Sequence, residues 1–203
     1  MRLFIALELP EWFRKELVKL RGGVPGARWV WQENMHLTLR FLGQTDGGQA
    51  DDLAGELGRI DMPSFYIAPS GVGVFESKGD VRALWMGMKP EEPLHDLNAK
   101  IERACRRAGF QPESRTFKPH ITLARFDGYS NIKRVSRFLE RYARFHRESI
   151  RISGFSVFSS ELRSPAPSYR VEADFPFSDA GLADSPFFDD WVVAAGQAPI
   201  RTK

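Results

Sequence analysis

The chain has a single cysteine, Cys105, in 203 residues. That excludes an intrachain disulfide and a thiolate metal cluster. No apolar run approaches the roughly 20 residues a membrane-spanning helix needs. Met1 to Pro10 alternates side-chain type and has neither the basic head nor the apolar block of a signal peptide, so a cytoplasmic protein is expected. A Walker-type phosphate loop is missing too: Gly71 and Gly73 fall in a predicted strand, and nothing argues for ATP. Nor is one sign of charge in large excess, since 29 Lys+Arg against 26 Asp+Glu leaves +3. The excess is uneven, basic over 100–151 and acidic over 172–190. A basic region facing a cleft would suit a phosphate-bearing ligand, but solvated helix faces account equally well for Arg103, Arg106, Arg107, Arg137 and Arg141.

What the chain does have is 42% hydrophobic and 27% charged residues, enough for one large domain or two small lobes sharing a core. Alternation marks Met1–Leu9 as a strand with Leu3, Ile5, Leu7 and Leu9 on one face. Pro10 opens a helix to about Leu20, stopped by Gly22-Gly23. Extended segments are expected at Trp29–Trp31, His36–Leu42, Phe65–Phe75, Val81–Met88, His120–Phe126, Ile150–Phe158 and Tyr169–Phe175. Helices are expected at Gln49–Ile60, from Pro93 to Gly109, and at Asn131–Phe145 with Ile132, Val135, Leu139 and Tyr142 inward. The second of these carries Leu94, Leu97, Ile101, Cys105 and Ala108 in one stripe, so Cys105 reads as a buried core thiol. His95 and His146 read as surface or helix-end residues. From Ser178 onward no period is visible, and 178–203 reads as an extension that is flexible or docks through Phe187, Phe188 and Trp191.

These elements repeat. The helix at Glu11 recurs near Pro93, His36 recurs as His120, and Gly71-Val72-Gly73-Val74-Phe75-Glu76-Ser77 recurs as Gly154-Phe155-Ser156-Val157-Phe158-Ser159-Ser160, all at offsets near 83. Two occurrences are too few for a solenoid. The expected fold is therefore α+β and bilobal. Residues 1–177 would form two similar lobes, each with an antiparallel sheet and helices, related by a pseudo-twofold axis around a central cleft.

The repeated strands read His36-Leu37-Thr38-Leu39 and His120-Ile121-Thr122-Leu123. Residues i and i+2 of a strand share a face, so each strand presents an imidazole and a hydroxyl to one side and buries its aliphatic pair on the other. With 4 His and 5 Thr in the chain, roughly 0.1 His-x-Thr triplets are expected by chance. Two occur, at matching places in a repeat. Two histidines near neutral pKa can work as a pair, one neutral and taking a proton from water, the other charged and giving one to a leaving oxygen. Opening a phosphodiester needs both events, plus donors for the phosphoryl oxygens. Thr38 and Thr122 can be those donors, and Arg40 has the strand parity of His36. Arg125 has the wrong parity relative to His120 and needs a bulge or the strand's end to reach the site. A metal mechanism is less attractive, because neither motif has an acidic neighbour on its own face and Glu33 is at odd separation from His36. Which histidine is acid and which base stays open on this reasoning.

These residues resemble the two-histidine (2H) phosphoesterases, and within them the bacterial RNA 2′,3′-cyclic phosphodiesterase branch, also described as RNA 2′-5′ ligases. The resemblance runs from Met1-Arg2-Leu3-Phe4-Ile5-Ala6 through Trp29-Val30 and Glu33-Asn34-Met35-His36-Leu37-Thr38-Leu39-Arg40-Phe41-Leu42-Gly43. It continues in Phe117-Lys118-Pro119-His120-Ile121-Thr122-Leu123-Ala124-Arg125 and ends near Phe177. It implies hydrolysis of a terminal RNA 2′,3′-cyclic phosphate to a 2′-phosphate without metal or cofactor, with 2′-5′ ligation as the reverse reaction. It also implies His36 as proton donor, His120 as proton acceptor, and Thr38, Thr122 and Arg125 as phosphate contacts. The expected partner is an RNA or nucleotide with a 2′,3′-cyclic phosphate end, met by a monomer away from membranes. A 2H enzyme for a small nucleotide or a 2′-5′ oligoadenylate, and a non-catalytic RNA-end-binding protein, are the competing readings. Phe4 is a candidate for stacking on a base.

Overall fold

The computed structural model describes residues 1–128, 130–161 and 167–179. The predicted docking residues Phe187, Phe188 and Trp191 lie outside them. In chain order the elements are β1 (Arg2–Leu7), α1 (Glu11–Val18), β2 (Arg28–Trp29), β3 (Leu37–Gln44), α2 (Gly47–Leu57), β4 (Phe65–Ser77), β5 (Asp80–Lys89), α3 (Glu92–Arg107), β6 (His120–Arg125), α4 (Ile132–Tyr142), β7 (Ile150–Ile152), β8 (Gly154–Glu161) and β9 (Ser168–Pro176).

Helix starts follow local chemistry. The Asp46 side chain accepts from the Gln49 N–H at 2.9 Å to open α2, and the Asn131 side chain accepts from the Arg134 N–H at 3.2 Å to open α4. Proline in the first turn opens α3. Tertiary burial then holds these helices: Leu94, Leu97, Ile101, Ala104 and Cys105 of α3 are fully buried, each large aliphatic contributing about 1.5–3 kcal/mol. The stripe expected on α4 needs one correction. Ile132 is 57% exposed, because with Asn131 as cap it is the first helical residue; the inward stripe starts one turn later, at Val135 and Phe138. The extended segment expected at Ile150–Phe158 is two strands that break at Ser153 because they serve opposite ends of the sheet.

The strands form one curled antiparallel sheet in the order β7-β4-β5-β6-β3-β1-β8-β9, with β2 beside β6. At its middle β6 and β3 meet at a single register pair, Leu37 with Ile121. Reading outward from that junction, β6-β5-β4 on one side matches β3-β1-β8 on the other, which is the pseudo-twofold relation of two lobes. The repeats exchange their last strands: β4, from the first repeat, pairs with β5, and β8, from the second, pairs with β1. Leu3, Ile5 and Leu7 of β1 join the buried core formed with all four helices, while Phe4 and Ala6 face the other way with Phe158 and Tyr169. That second face is the concave one.

Candidate active site

His36 immediately precedes β3, and His120 opens β6. Leu37, Leu39, Ile121 and Leu123 are buried in the core, as alternation requires. Thr38 is paired with Ala6 and Thr122 with Trp85, placing both hydroxyls on the concave face with the imidazoles. The Leu37–Ile121 register sets His36 beside Thr122 and Thr38 beside His120. Each imidazole therefore has the other motif's threonine as its cross-strand neighbour.

The two histidines are held in the same way. Nδ1 of His36 is 2.8 Å from the carbonyl of Asn34, and Nδ1 of His120 is 2.6 Å from the carbonyl of Lys118. A carbonyl only accepts, so Nδ1 carries the proton in each ring and Nε2 is left for the cleft. The Asn34 side chain in turn donates to the carbonyl of Pro167 at 2.8 Å, tying the approach to β3 to the start of β9. Burial pushes the His36 pKa down to about 4 against the opposing effect of its backbone bond, and the charges of Arg125 and His120 add to the depression. His120 is lowered as well, mainly by burial and then by Arg125 and Lys118. Without an anion nearby, both imidazoles favour the neutral form.

Arg125 reaches this site through a bulge. On β6 the register against β5 steps from Ala124–Leu84 to Thr122–Trp85, leaving Leu123 without a partner. Parity flips there, so Ala124 joins the core and Arg125 turns to the histidine face, close enough for its charge to act on His36, His120 and Tyr169. The same device overturns the expectation for Arg40. On β3 the register steps from Arg40–Ile5 to Thr38–Ala6, skipping Leu39, so Arg40 turns to the helix side. There it is 6% exposed, pairs with Glu102 at 3.2 Å and Glu113 at 3.4 Å, and hydrogen-bonds the Gln111 carbonyl. It is structural and does not line the cleft. The basic stretch 100–151 does not face the cleft as a block either. Arg107 and Arg147 are paired with Glu56 and Glu16, and within that stretch Lys118 and Arg125 are the cations whose charge acts on the histidines.

Sequence reasoning missed the rings that wall the site. His36 has Phe4 at 4.9 Å, Tyr169 at 5.4 Å and Phe158 at 6.3 Å between centroids. Phe4 is 4% exposed and stacked on Phe158, so it supports the imidazole and is not open to a base. His120 has Phe75 edge-on at 4.7 Å and Trp85 at 6.4 Å, with the Lys118 ammonium 4.1 Å from the Trp85 ring. Phe75 and Phe158 occupy the same place in the repeated segment, a signal that was present in the sequence. His95 is half exposed beside Glu91, away from the pair. Among the described residues no three His, Cys, Asp or Glu side chains gather as a metal centre would require.

The model of the LigT-like phosphoesterase family matches the chain twice, over residues 7–85 and 87–169, one match for each repeat. An RNA 2′,3′-cyclic phosphodiesterase of Thermotoga maritima is 33% identical over 188 residues, covering 90% of this chain and 98% of the relative. A relative of the same name from Archaeoglobus fulgidus is 29% identical, over 84% of this chain and 97% of its own. Among solved structures, Escherichia coli LigT complexed with 3′-AMP superposes with a TM-score of 0.72 at 25% identity, covering 87% of this chain and 98% of that one.

Proposed function

The chain belongs to the LigT-like phosphoesterase family, and on that premise we propose that it hydrolyses RNA 2′,3′-cyclic phosphate ends to 2′-phosphates by acid–base catalysis between His36 and His120. One observation carries the mechanism: two imidazoles fixed in the same tautomer by equivalent carbonyls, both leaving Nε2 for one cleft. In the forward reaction Nε2 of neutral His120 takes a proton from water as it attacks phosphorus. Nε2 of charged His36 gives its proton to the departing 3′ oxygen, and the phosphate stays on the 2′ oxygen. Thr38, Thr122 and Arg125 donate to the phosphoryl oxygens, where charge builds up. Replacing water by an RNA 5′ hydroxyl in the same step yields a 2′-5′ linkage. The depressed His36 pKa sets a condition on this assignment: the acid must regain its proton in the complex, and the phosphate anion favours the imidazolium.

The test is turnover of a nucleoside 2′,3′-cyclic phosphate in EDTA by wild type, His36→Ala and His120→Ala. Each substitution is expected to lose roughly 10²–10⁴-fold in kcat, with the 2′-phosphate as wild-type product. Retention of activity by either variant sinks the pair mechanism. An aryl phosphodiester with a good leaving group then assigns the roles. His36→Ala should recover on it, because an activated leaving group needs no acid, whereas His120→Ala should not. The opposite pattern reverses acid and base.

A further inference from the structure

The equivalent bulges at Leu39 and Leu123 turn one residue of each repeat onto the concave face, Phe41 in the first and Arg125 in the second. The groups that handle the scissile phosphate obey the pseudo-twofold: histidine, threonine and the carbonyl behind each Nδ1. These two positions break it, one with a cation and the other with an aromatic ring. A cyclic phosphate at the end of a nucleoside is itself asymmetric, with an anionic end and a flat, apolar-faced end. Phe41 is 49% exposed although it stands on the face of the histidines, with only its 6.2 Å contact to Phe4 among ring partners. The guanidinium of Arg115 lies 5.9 Å from its centroid. That arginine is held by two bonds to Glu113, at 3.2 and 3.1 Å, and Glu113 is anchored in turn by buried Arg40. An exposed ring kept beside a fixed guanidinium offers the flat, sequence-tolerant surface on which bases stack.

We propose that Phe41 is the platform for the terminal nucleobase, with Arg115 at its edge, so that the nucleoside lies toward Phe41 and the phosphoryl oxygens toward Arg125. This rests on the hydrolytic function proposed above and adds the direction in which the substrate lies. Because the platform ignores base edges, all four nucleobases should be accepted.

The experiment is calorimetric binding of adenosine 2′-monophosphate and of the base-free analogue methyl riboside 2-phosphate to wild type, Phe41→Ala and Phe41→Trp. Phe41→Ala should weaken the nucleotide roughly 5- to 100-fold and leave the base-free ligand unchanged, whereas Phe41→Trp should hold nucleotide affinity. Equal nucleotide affinity in wild type and Phe41→Ala, or equal weakening of both ligands, overturns the proposal. Wild-type turnover of the cyclic nucleotide, measured alongside, judges the hydrolytic reading separately, since base stacking registers in binding whether or not the bond is cut.

Discussion

At the scale of single residues, His36 is the side chain whose environment makes the firmest demand. Its rings of Phe4, Phe158 and Tyr169 exclude water, and the imidazolium is disfavoured accordingly. A folded-state pKa near 4 against an ordinary value of 6.5 means that the unfolded chain binds the proton more readily. The associated stability is fully present above pH 6.5 and is lost as pH falls through 4. It amounts to about 3 kcal/mol on the linkage relation. Urea denaturation at pH 7 and pH 4 should therefore show a smaller acid-induced loss in His36→Gln than in wild type. Equal losses would mean that His36 is not held neutral by its surroundings. The two His-x-Thr triplets were legible because strand parity and a chance estimate sufficed to single them out. Arg40 was misplaced because the same parity rule runs through a bulge that no residue type announces.

At the scale of elements, the bulges decide which side chains enter the cleft, and they occur at equivalent places in the two repeats. Both Leu39 and Leu123 are ordinary core leucines, so the extra residue in each strand leaves no mark in composition or alternation. What was legible was the need for one, since Arg125 could reach His120 only through a bulge or the strand's end. A second feature of the sheet also follows from close approach. A Cβ on Gly73 of β4 would lie 2.2 Å from the indole of Trp85 on β5, the ring beside His120. Only a residue without a side chain lets that ring lie against the strand. Gly73→Ala should push the indole toward the cleft and destabilise the fold by about 1–3 kcal/mol. It should also change tryptophan fluorescence and lower turnover. Unaltered fluorescence and an unshifted urea midpoint would show that the ring has room to spare.

At the scale of the whole molecule, the two family-model matches and the offsets near 83 show the same duplication, yet the repeats are not two self-contained lobes. Sequence offsets reveal that a unit recurs; they carry no information about which copy its last strand joins. Here β4 crosses to β5 and β8 crosses to β1, so each lobe's sheet contains strands from both repeats. Cutting the chain at the turn between β4 and β5, after Lys78, would leave β4 without its main partner and β1 without β8. The exposed β-edges and apolar faces of each piece would then go unburied. Full-length protein should accordingly unfold in one transition, with far-UV circular dichroism and tryptophan fluorescence superimposable. Residues 1–78 and 79–203 made separately should each lack a cooperative melt, and mixing them should restore one together with turnover of the cyclic phosphate. A cooperative melt from either piece alone would show that a repeat folds by itself. The strand exchange would then be only a way of joining two domains, not what holds the histidines across the cleft.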